Sequence, residues 1–132
     1  MPFIMWSGDL CVGHDVIDAQ HKKLVDIINN LFDAINAKQT GNVLDGIFAE
    51  LIDYTNFHFG DEERFMEECN YPVLADHKHE HSELVKKVLY HKEQFIGNKK
   101  MFEMKLMNFL KDWLIEHIYH SDKKFHAYLN NK

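Results

Sequence analysis

Two pairs of potential metal-binding side chains each lie one helical turn apart in the sequence. His58 and Glu62 are four residues apart, and His77 and His81 have the same spacing. Residues at i and i+4 are neighbours on the surface of a helix, so the two members of each pair can bind one metal centre together. Ten of the 132 residues are histidines, which is a surplus that a metal site explains.

Two further segments complete a candidate ligand set. His117 and Asp122 are five residues apart, slightly more than one helical turn, which suits a helix end where the backbone can adjust. His21 adds a single imidazole from an earlier segment of the chain. The candidate metal ligands are therefore His21, His58, Glu62, His77, His81, His117 and Asp122. Five imidazoles and two carboxylates favour iron, zinc or copper over magnesium or calcium.

The number of candidate ligands predicts two metal ions. Seven ligands exceed the four that a tetrahedral zinc ion takes. If Glu62 and Asp122 bridge two ions together with a solvent-derived oxygen, the ion held by the last three histidines has a full set of six ligands. The ion held by the first two histidines then has five ligands, and its open position can bind a small molecule.

Four amphipathic helices are predicted to position these ligands. Apolar residues recur at steps of three and four along four segments, as in the series Ile17, Leu24, Ile28 and Leu31. The candidate ligands fall on the same stripes, which face the core. An unsatisfied polar group in a core costs about 1–3 kcal/mol, so a bound metal would offset a substantial cost.

The pattern predicts an all-α fold, an antiparallel up-down-up-down four-helix bundle with an irregular N-terminal segment. The irregular segment is expected over residues 1–16, and Asp18 is expected as the N-cap of the first helix. Residues 121–132 are predicted to form either a short closing helix or a frayed tail. Alternation of period two is absent from the sequence, which disfavours strands.

Length, charge and cysteine content restrict the protein class. The 132 residues predict one domain over positions 1–132. A formal charge of −6 disfavours nucleic acid or an anionic membrane as a partner. The longest apolar run, at residues 3–6, is too short to span a membrane. Two cysteines, Cys11 and Cys69, form no disulfide framework and favour a cytoplasmic protein with reduced thiols.

The ligand series resembles that of the hemerythrin family, and the length is similar to that of single-domain bacterial hemerythrins. The resemblance covers essentially the whole chain, from the segment Asp18-Ala-Gln-His21-Lys to Asp122, and it includes the segment Trp113-Leu114-x-x-His117-Ile118. It implies a di-iron centre that binds dioxygen reversibly at the iron with five ligands. It also implies an apolar pocket around the bound dioxygen, formed by Leu24, Phe59, Trp113, Leu114 and Ile118.

Reversible dioxygen binding, for carriage, storage or buffering, is the leading functional interpretation, with an unidentified oxygen-consuming protein as recipient. The alternative is a di-iron enzyme or scavenger that acts on oxygen, peroxide or nitric oxide. Ferritin-like di-iron proteins use Glu-x-x-His motifs from two helices, and this sequence contains none. A structural zinc bundle is disfavoured because four ligands would suffice. The sequence therefore predicts a binding protein and not an enzyme.

The remaining polar residues near the ligands are expected to be peripheral. Five histidines are predicted to lie at the surface or just outside the ligand set, namely His14, His79, His91, His120 and His126. The position between His77 and His81 faces away from the core if this segment is helical. A solvated face is expected for the acidic residues Asp61, Glu63, Glu67 and Glu68.

Overall fold

The computed structural model describes residues 3–37, 41–97 and 100–130, and no strand occurs among them. The helices are α1 (Asp15–Asn36), α2 (Gly41–Glu68), α3 (Leu74–Gly97), α4 (Lys100–Glu116) and α5 (Lys123–Asn130). A π-helical turn over His117–Asp122 joins α4 directly to α5, so these two helices form one continuous fourth helical stretch. The connections between α1 and α2 and between α3 and α4 include residues 38–40 and 98–99, which lie outside the described residues.

The helices pack in chain order and close into a bundle. Contacts connect α1 with α2, α2 with α3 and α3 with α4, and α1 also contacts α4. Short connections make consecutive helices antiparallel, which confirms the predicted four-helix bundle. None of the described helices combines the length and the apolar character that crossing a lipid bilayer requires.

The start of α1 differs from the prediction. The helix begins at Asp15, and its N-cap is His14, whose Nδ1 accepts a hydrogen bond from the backbone N–H of Ile17 at 3.3 Å. The prediction that Asp18 is the N-cap is wrong. The Asp18 carboxylate instead accepts the backbone N–H of Val12 at 2.7 Å, so it fastens the preceding chain to the first turn of α1.

The segment before α1 is irregular, as predicted, but it contributes to the core. It contains one short 3-10 turn, at Gly8–Leu10. The backbone N–H of Ile4 donates to Asn29 Oδ1 at 2.8 Å, and Asn29 Nδ2 donates back to the Ile4 carbonyl at 2.9 Å. The Phe3 ring stacks on Phe32 with centroids 4.4 Å apart. These contacts hold the segment against the side of α1.

The end of α2 is set by a residue in the left-handed region. Asn70 has a φ of 57°, a conformation that asparagine tolerates better than most residues. The N–H of Tyr71 then donates to the Met66 carbonyl and the N–H of Asn70 to the Glu67 carbonyl, which is a Schellman motif. The chain reverses here and enters α3, so the last turns of α2 face the first turns of α3.

A small apolar cluster closes this end of the bundle. Met66, Tyr71 and Phe125 are buried together, and Tyr128 packs against them. Phe125 belongs to α5, so residues 123–130 form the closing helix that was one of the two predicted possibilities.

Candidate metal centre

All seven predicted ligands are buried, and their ligand atoms form two overlapping groups. The three-histidine group contains Glu62, His77, His81, His117 and Asp122. The two-histidine group contains His21, His58 and Glu62. The structure therefore brings together every residue of the predicted set.

The helices supply these residues from adjacent turns. His21 lies early in α1 and His58 late in α2, and the antiparallel packing places them side by side with ring centroids 4.7 Å apart. The rings of His77 and His81, one turn apart on α3, are 4.5 Å apart. All four helical stretches contribute to the same level of the bundle.

The π-helical turn explains the unusual spacing of the last ligand pair. Its backbone makes i→i+5 hydrogen bonds, as shown by the Lys123 N–H that donates to the Ile118 carbonyl. Residues five apart therefore lie on the same face, and the Nε2 of His117 is 3.1 Å from Asp122 Oδ1. The prediction that this spacing marks a helix end is wrong, because the helix continues into α5. Single π turns inserted in α-helices are frequent at functional sites.

Glu62 lies between the two groups and directs one carboxylate oxygen to each. Its Oε1 is 2.6 Å from His77 Nε2 and 3.3 Å from His81 Nε2. Its Oε2 is 3.6 Å from His58 Nε2 and 3.8 Å from His21 Nε2. The carboxylate therefore has the orientation of a bridge between two positions.

Asp122 repeats this arrangement from the opposite side. Its Oδ1 is 3.1 Å from the Nε2 atoms of both His77 and His117. Its Oδ2 is 3.0 Å from His21 Nε2. Both carboxylates thus divide their oxygens between the three-histidine group and the two-histidine group.

Several of these atoms make no hydrogen bond within the protein. Among the described residues, the buried atoms without a hydrogen bond include Glu62 Oε2, both Asp122 carboxylate oxygens and His21 Nε2. Buried polar atoms are normally hydrogen-bonded, and orphaned ones are costly. Lone pairs on carboxylate oxygens and imidazole nitrogens are the donors that a metal cation needs. The buried cluster of histidine, glutamate and aspartate therefore fits a metal site.

The electrostatics of the cluster are those of a site that attracts cations. Burial raises the pKa of Glu62 and of Asp122, but the neighbouring imidazoles, above all His117, outweigh it and lower both pKa values below the ordinary range. Both carboxylates are consequently ionised at neutral pH. Two negative charges lie inside the bundle.

The histidines respond to these charges unequally. For His21, His77 and His117, burial lowers the pKa, but the two carboxylates outweigh it and raise the pKa to about 9, 8 and 10, respectively. For His58, burial dominates and the pKa falls to about 4. In the metal-free chain at neutral pH, protons on these three imidazoles supply the positive charge that faces the two carboxylates, and metal ions would replace those protons.

The sequence analysis missed two residues that contact the ligands from outside. Gln20 Oε1 accepts from His58 Nδ1 at 2.6 Å, and Glu63 Oε2 accepts from His81 Nδ1 at 2.7 Å. The expectation that Glu63 belongs to a solvated face is wrong. Both residues are sequence neighbours of a candidate ligand, and a metal-binding histidine usually has such a partner, which was the available signal.

Two of the five predicted pocket residues stack on ligand rings. Phe59 is parallel to His81 with centroids 3.6 Å apart, and Trp113 is parallel to His117 with centroids 4.4 Å apart. These flat contacts fix the planes of two imidazoles and cover them with apolar surface.

An apolar cavity of about 20 Å³ lies beside the cluster. Leu24, Trp113 and Leu114 of the predicted pocket line it, whereas the buried Phe59 and Ile118 lie outside its lining. Residues that the sequence analysis did not assign to the pocket complete the wall, namely Ile28, Leu51, Thr55, Leu84, Val88 and Leu110. A void of this size with apolar walls offers a water molecule few polar partners.

The other histidines stay outside the two groups where their side chains are described. His79 is exposed, as predicted, and His120 is exposed and pairs with Glu116 at 3.0 Å. His126 is buried, with its ring 5.8 Å from that of His14. The side chain of His91 lies outside the described residues.

Comparison with known proteins agrees with this centre. The family model "Hemerythrin HHE cation binding domain" matches residues 12–129. A bacteriohemerythrin of Stenotrophomonas maltophilia is 35% identical over 128 residues, covering 95% of this chain and 80% of the relative. A bacteriohemerythrin of Clostridium acetobutylicum is 28% identical over 126 residues, covering 92% of this chain and 97% of the relative.

The fold comparison gives the same result. A crystal structure of wild-type hemerythrin superimposes with a TM-score of 0.82 and 30% sequence identity, covering 95% of this chain and 96% of the other. The matched region spans all seven clustered residues and nearly the whole bundle. The chain belongs to the hemerythrin family.

Proposed function

We propose that this chain binds dioxygen reversibly at a non-haem di-iron centre, as a carrier, store or buffer acting in the cytoplasm. One observation carries the proposal. Glu62 and Asp122 each present one oxygen to the three-histidine group and the other to the two-histidine group. Two positions joined by two carboxylates are what a pair of metal ions needs, and a single ion would leave part of this set unused.

The proposed centre has unequal positions. Glu62, Asp122 and a solvent-derived oxygen would bridge the two irons. The three-histidine position would then have six ligands and the two-histidine position five, so a small molecule has access to the second position only. Iron supplies, when bound, the electrons by which dioxygen is held. The chain as a whole, residues 1–132, is proposed to act as one such domain.

The proposed pocket would protect the open position from water. Leu24 follows His21 by one helical turn, and it is buried together with Leu114 in the wall of the apolar cavity. A low-dielectric surrounding disfavours the separation of charge that accompanies irreversible oxidation. The pocket residues Leu24, Phe59, Trp113, Leu114 and Ile118 would therefore keep binding reversible by excluding water.

Oxygen cycling tests the proposal. The purified protein should hold two irons and should lose its visible charge-transfer band on reduction. The reduced protein should then take up one oxygen molecule for each pair of irons and regain a visible band. This band should disappear again under argon. Recovery over repeated cycles is the expected result. One zinc with no iron would overturn the di-iron centre. Catalytic turnover of oxygen, peroxide or nitric oxide with release of product would instead favour the enzyme.

A pocket variant tests the role of the apolar wall. Leu114→Ala should speed conversion of the oxygen-bound protein to the oxidised, oxygen-inert form, because it opens the cavity to water. Leu44→Ala is the matched control, since Leu44 is also a buried leucine but does not line the cavity. Equal oxidation rates in the two variants would contradict a protective role for the pocket.

A further inference from the structure

The two histidine groups differ in what lies behind their rings. The Nε2 atoms of all five histidines face Glu62 or Asp122, so their Nδ1 atoms are the outer nitrogens. A metal-bound histidine usually donates its outer N–H to a partner that fixes the ring and tunes its basicity. The identity of that partner therefore bears on how strongly each histidine donates electrons.

Behind the two-histidine group, the acceptor is a neutral amide. His58 Nδ1 is 2.6 Å from Gln20 Oε1. The amide orientation is fixed, because Gln20 Nε2 donates to Asp61 Oδ2 at 3.0 Å, and Asp61 is also paired with Arg64. The acceptor oxygen thus faces His58, which must donate from Nδ1 and keep the lone pair on Nε2 for the centre.

Behind the three-histidine group, the acceptor of His81 is a carboxylate. His81 Nδ1 donates to Glu63 Oε2 at 2.7 Å. Glu80 Oε2 lies 4.0 Å from His117 Nδ1, which is beyond hydrogen-bond distance, and both Glu80 oxygens accept from the Ser121 hydroxyl at 2.8 Å. A charged acceptor draws the proton away from the ring more strongly than an amide does, so the ring becomes a better electron donor.

We infer that Gln20 and Glu63 are positioning residues that make the two metal positions electronically unequal. Glu63 strengthens donation by His81 and thereby stabilises the oxidised state at the three-histidine position. Gln20 holds His58 in the metal-binding tautomer without adding charge, so the two-histidine position is less stabilised when oxidised. This inference rests on the proposed di-iron function. It attributes the reversibility of oxygen binding to the acceptor of His58, which is the neutral amide of Gln20 and not a carboxylate.

A charge swap tests the amide side. The double variant Gln20→Glu/Asp61→Asn keeps the net charge of the chain and moves one negative charge from position 61 to the acceptor of His58. The new amide at position 61 can donate to the new carboxylate, which preserves the hydrogen-bond chain. Asp61→Asn alone is the matched control, because it removes the charge without placing one behind His58.

The expected result is a change at one iron only. In the Mössbauer spectrum of the oxidised, iron-loaded protein, the swap should alter one quadrupole doublet and leave the other unchanged. The reduced swap variant should also oxidise in air about tenfold faster than wild type. The control variant should keep both doublets. Two unchanged doublets in the swap variant would overturn the inference for Gln20.

Glu63→Gln tests the carboxylate side. It should alter the other doublet and speed the loss of iron to a chelator by about tenfold. Glu67→Gln is its control, because Glu67 is exposed on the same helix. The inference would be overturned if the Gln20→Glu/Asp61→Asn swap and Glu63→Gln altered the same doublet. It would also be overturned if Glu63→Gln altered neither doublet. The Mössbauer and chelator readouts need no oxygen binding, so a two-iron protein that fails to bind oxygen would overturn the proposed function alone. A wild-type protein without two irons would overturn both.

Discussion

The two halves of the bundle are built by the same four helical stretches but have opposite interiors. In one half, the end of α1 and the start of α2 bury only apolar side chains such as Leu31 and Phe48, and α4 adds Leu106 and Met107. In the other half, the start of α1 and the end of α2 bury His21, His58 and Glu62 at equal depth. Helix packing alone therefore does not decide what an interior contains.

The different interiors predict which half of the bundle needs bound cations for its stability. The apolar half gains free energy from burial, and its described buried side chains have no polar atom to satisfy. The polar half contains at least four described ligand atoms without a hydrogen bond, at about 1–3 kcal/mol each, within a domain whose total stability is about 5–15 kcal/mol. The polar half therefore depends on bound cations, whether metal ions or protons.

Metal removal is expected to have the largest effect on this comparison. The metal-free chain should melt at least about 10 °C below the loaded chain, because several kcal/mol of ligand interactions are lost. Hydrogen exchange should accelerate around residues 58–62, 77–81 and 117–122, whereas residues 27–35 should stay protected. Equal melting temperatures with equal exchange would show that the polar half needs no metal.

Single ligand substitutions should come next in size. His77→Ala or Glu62→Ala should lose iron, because each removes an atom that faces the cluster directly. His79→Ala is the matched control, since this histidine is exposed and only two residues from each of two ligands. Metal analysis checks both variants. Loss of iron in the control would contradict the helical orientation of residues 77–81.

Much of this site could be predicted from the sequence because its ligands follow helical spacing. The pairs at 58 and 62 and at 77 and 81 share a face in any regular α-helix. The sequence could predict only approximately that Asp122 lies on the same face as His117. An i+5 spacing puts two residues on one face only in a π turn, and no residue propensity indicates such a turn.

The missed features depend on contacts between distant residues. Gln20 and His58 lie 38 residues apart, and Glu63 and His81 lie 18 apart, so their pairing follows from the packing of helices. The wrong N-cap has the same cause. Asp18 has the residue type of a cap, but its carboxylate accepts the backbone N–H of Val12, and His14, four residues earlier, fulfils the capping role. The local sequence pattern shows which residues could cap a helix or hydrogen-bond to a ligand. The tertiary contacts determine which of them do so.

The pH dependence of metal binding is the third expected effect. His21, His77 and His117 have pKa values raised to about 9, 8 and 10, so at pH 7 the metal-free site holds about three protons that metal must displace. Metal affinity should therefore rise steeply with pH up to about 8, and it should level off only above about 10, when all three imidazoles have lost their protons. Calorimetric titration of the metal-free chain with ferrous ion in buffers of different ionisation enthalpy measures the proton release.

The stability of the metal-free chain should show the opposite trend. Imidazoles with raised pKa values stabilise the fold fully below their ordinary pKa of about 6.5, and this stabilisation is lost as the pH rises through about 8 to 10. The loaded chain should keep its melting temperature over the range in which the metal-free chain loses stability. Parallel trends in the two forms would contradict the exchange of protons for metal.

A pair of apolar substitutions gives the smallest and most selective test of the two halves. Leu106→Ala removes a fully buried side chain of the apolar half and should cost about 2–5 kcal/mol in the loaded and metal-free chains alike, because Leu106 belongs to the apolar core and to neither described group of candidate ligands. Phe59→Leu keeps an apolar side chain of similar burial but removes the ring stacked on His81, so it should destabilise the loaded chain more than the metal-free chain. Denaturant unfolding of both variants in both forms measures the two differences. A metal-dependent cost for Leu106→Ala would show that the halves are coupled, and a metal-independent cost for Phe59→Leu would show that the stacked ring serves only to fill the core.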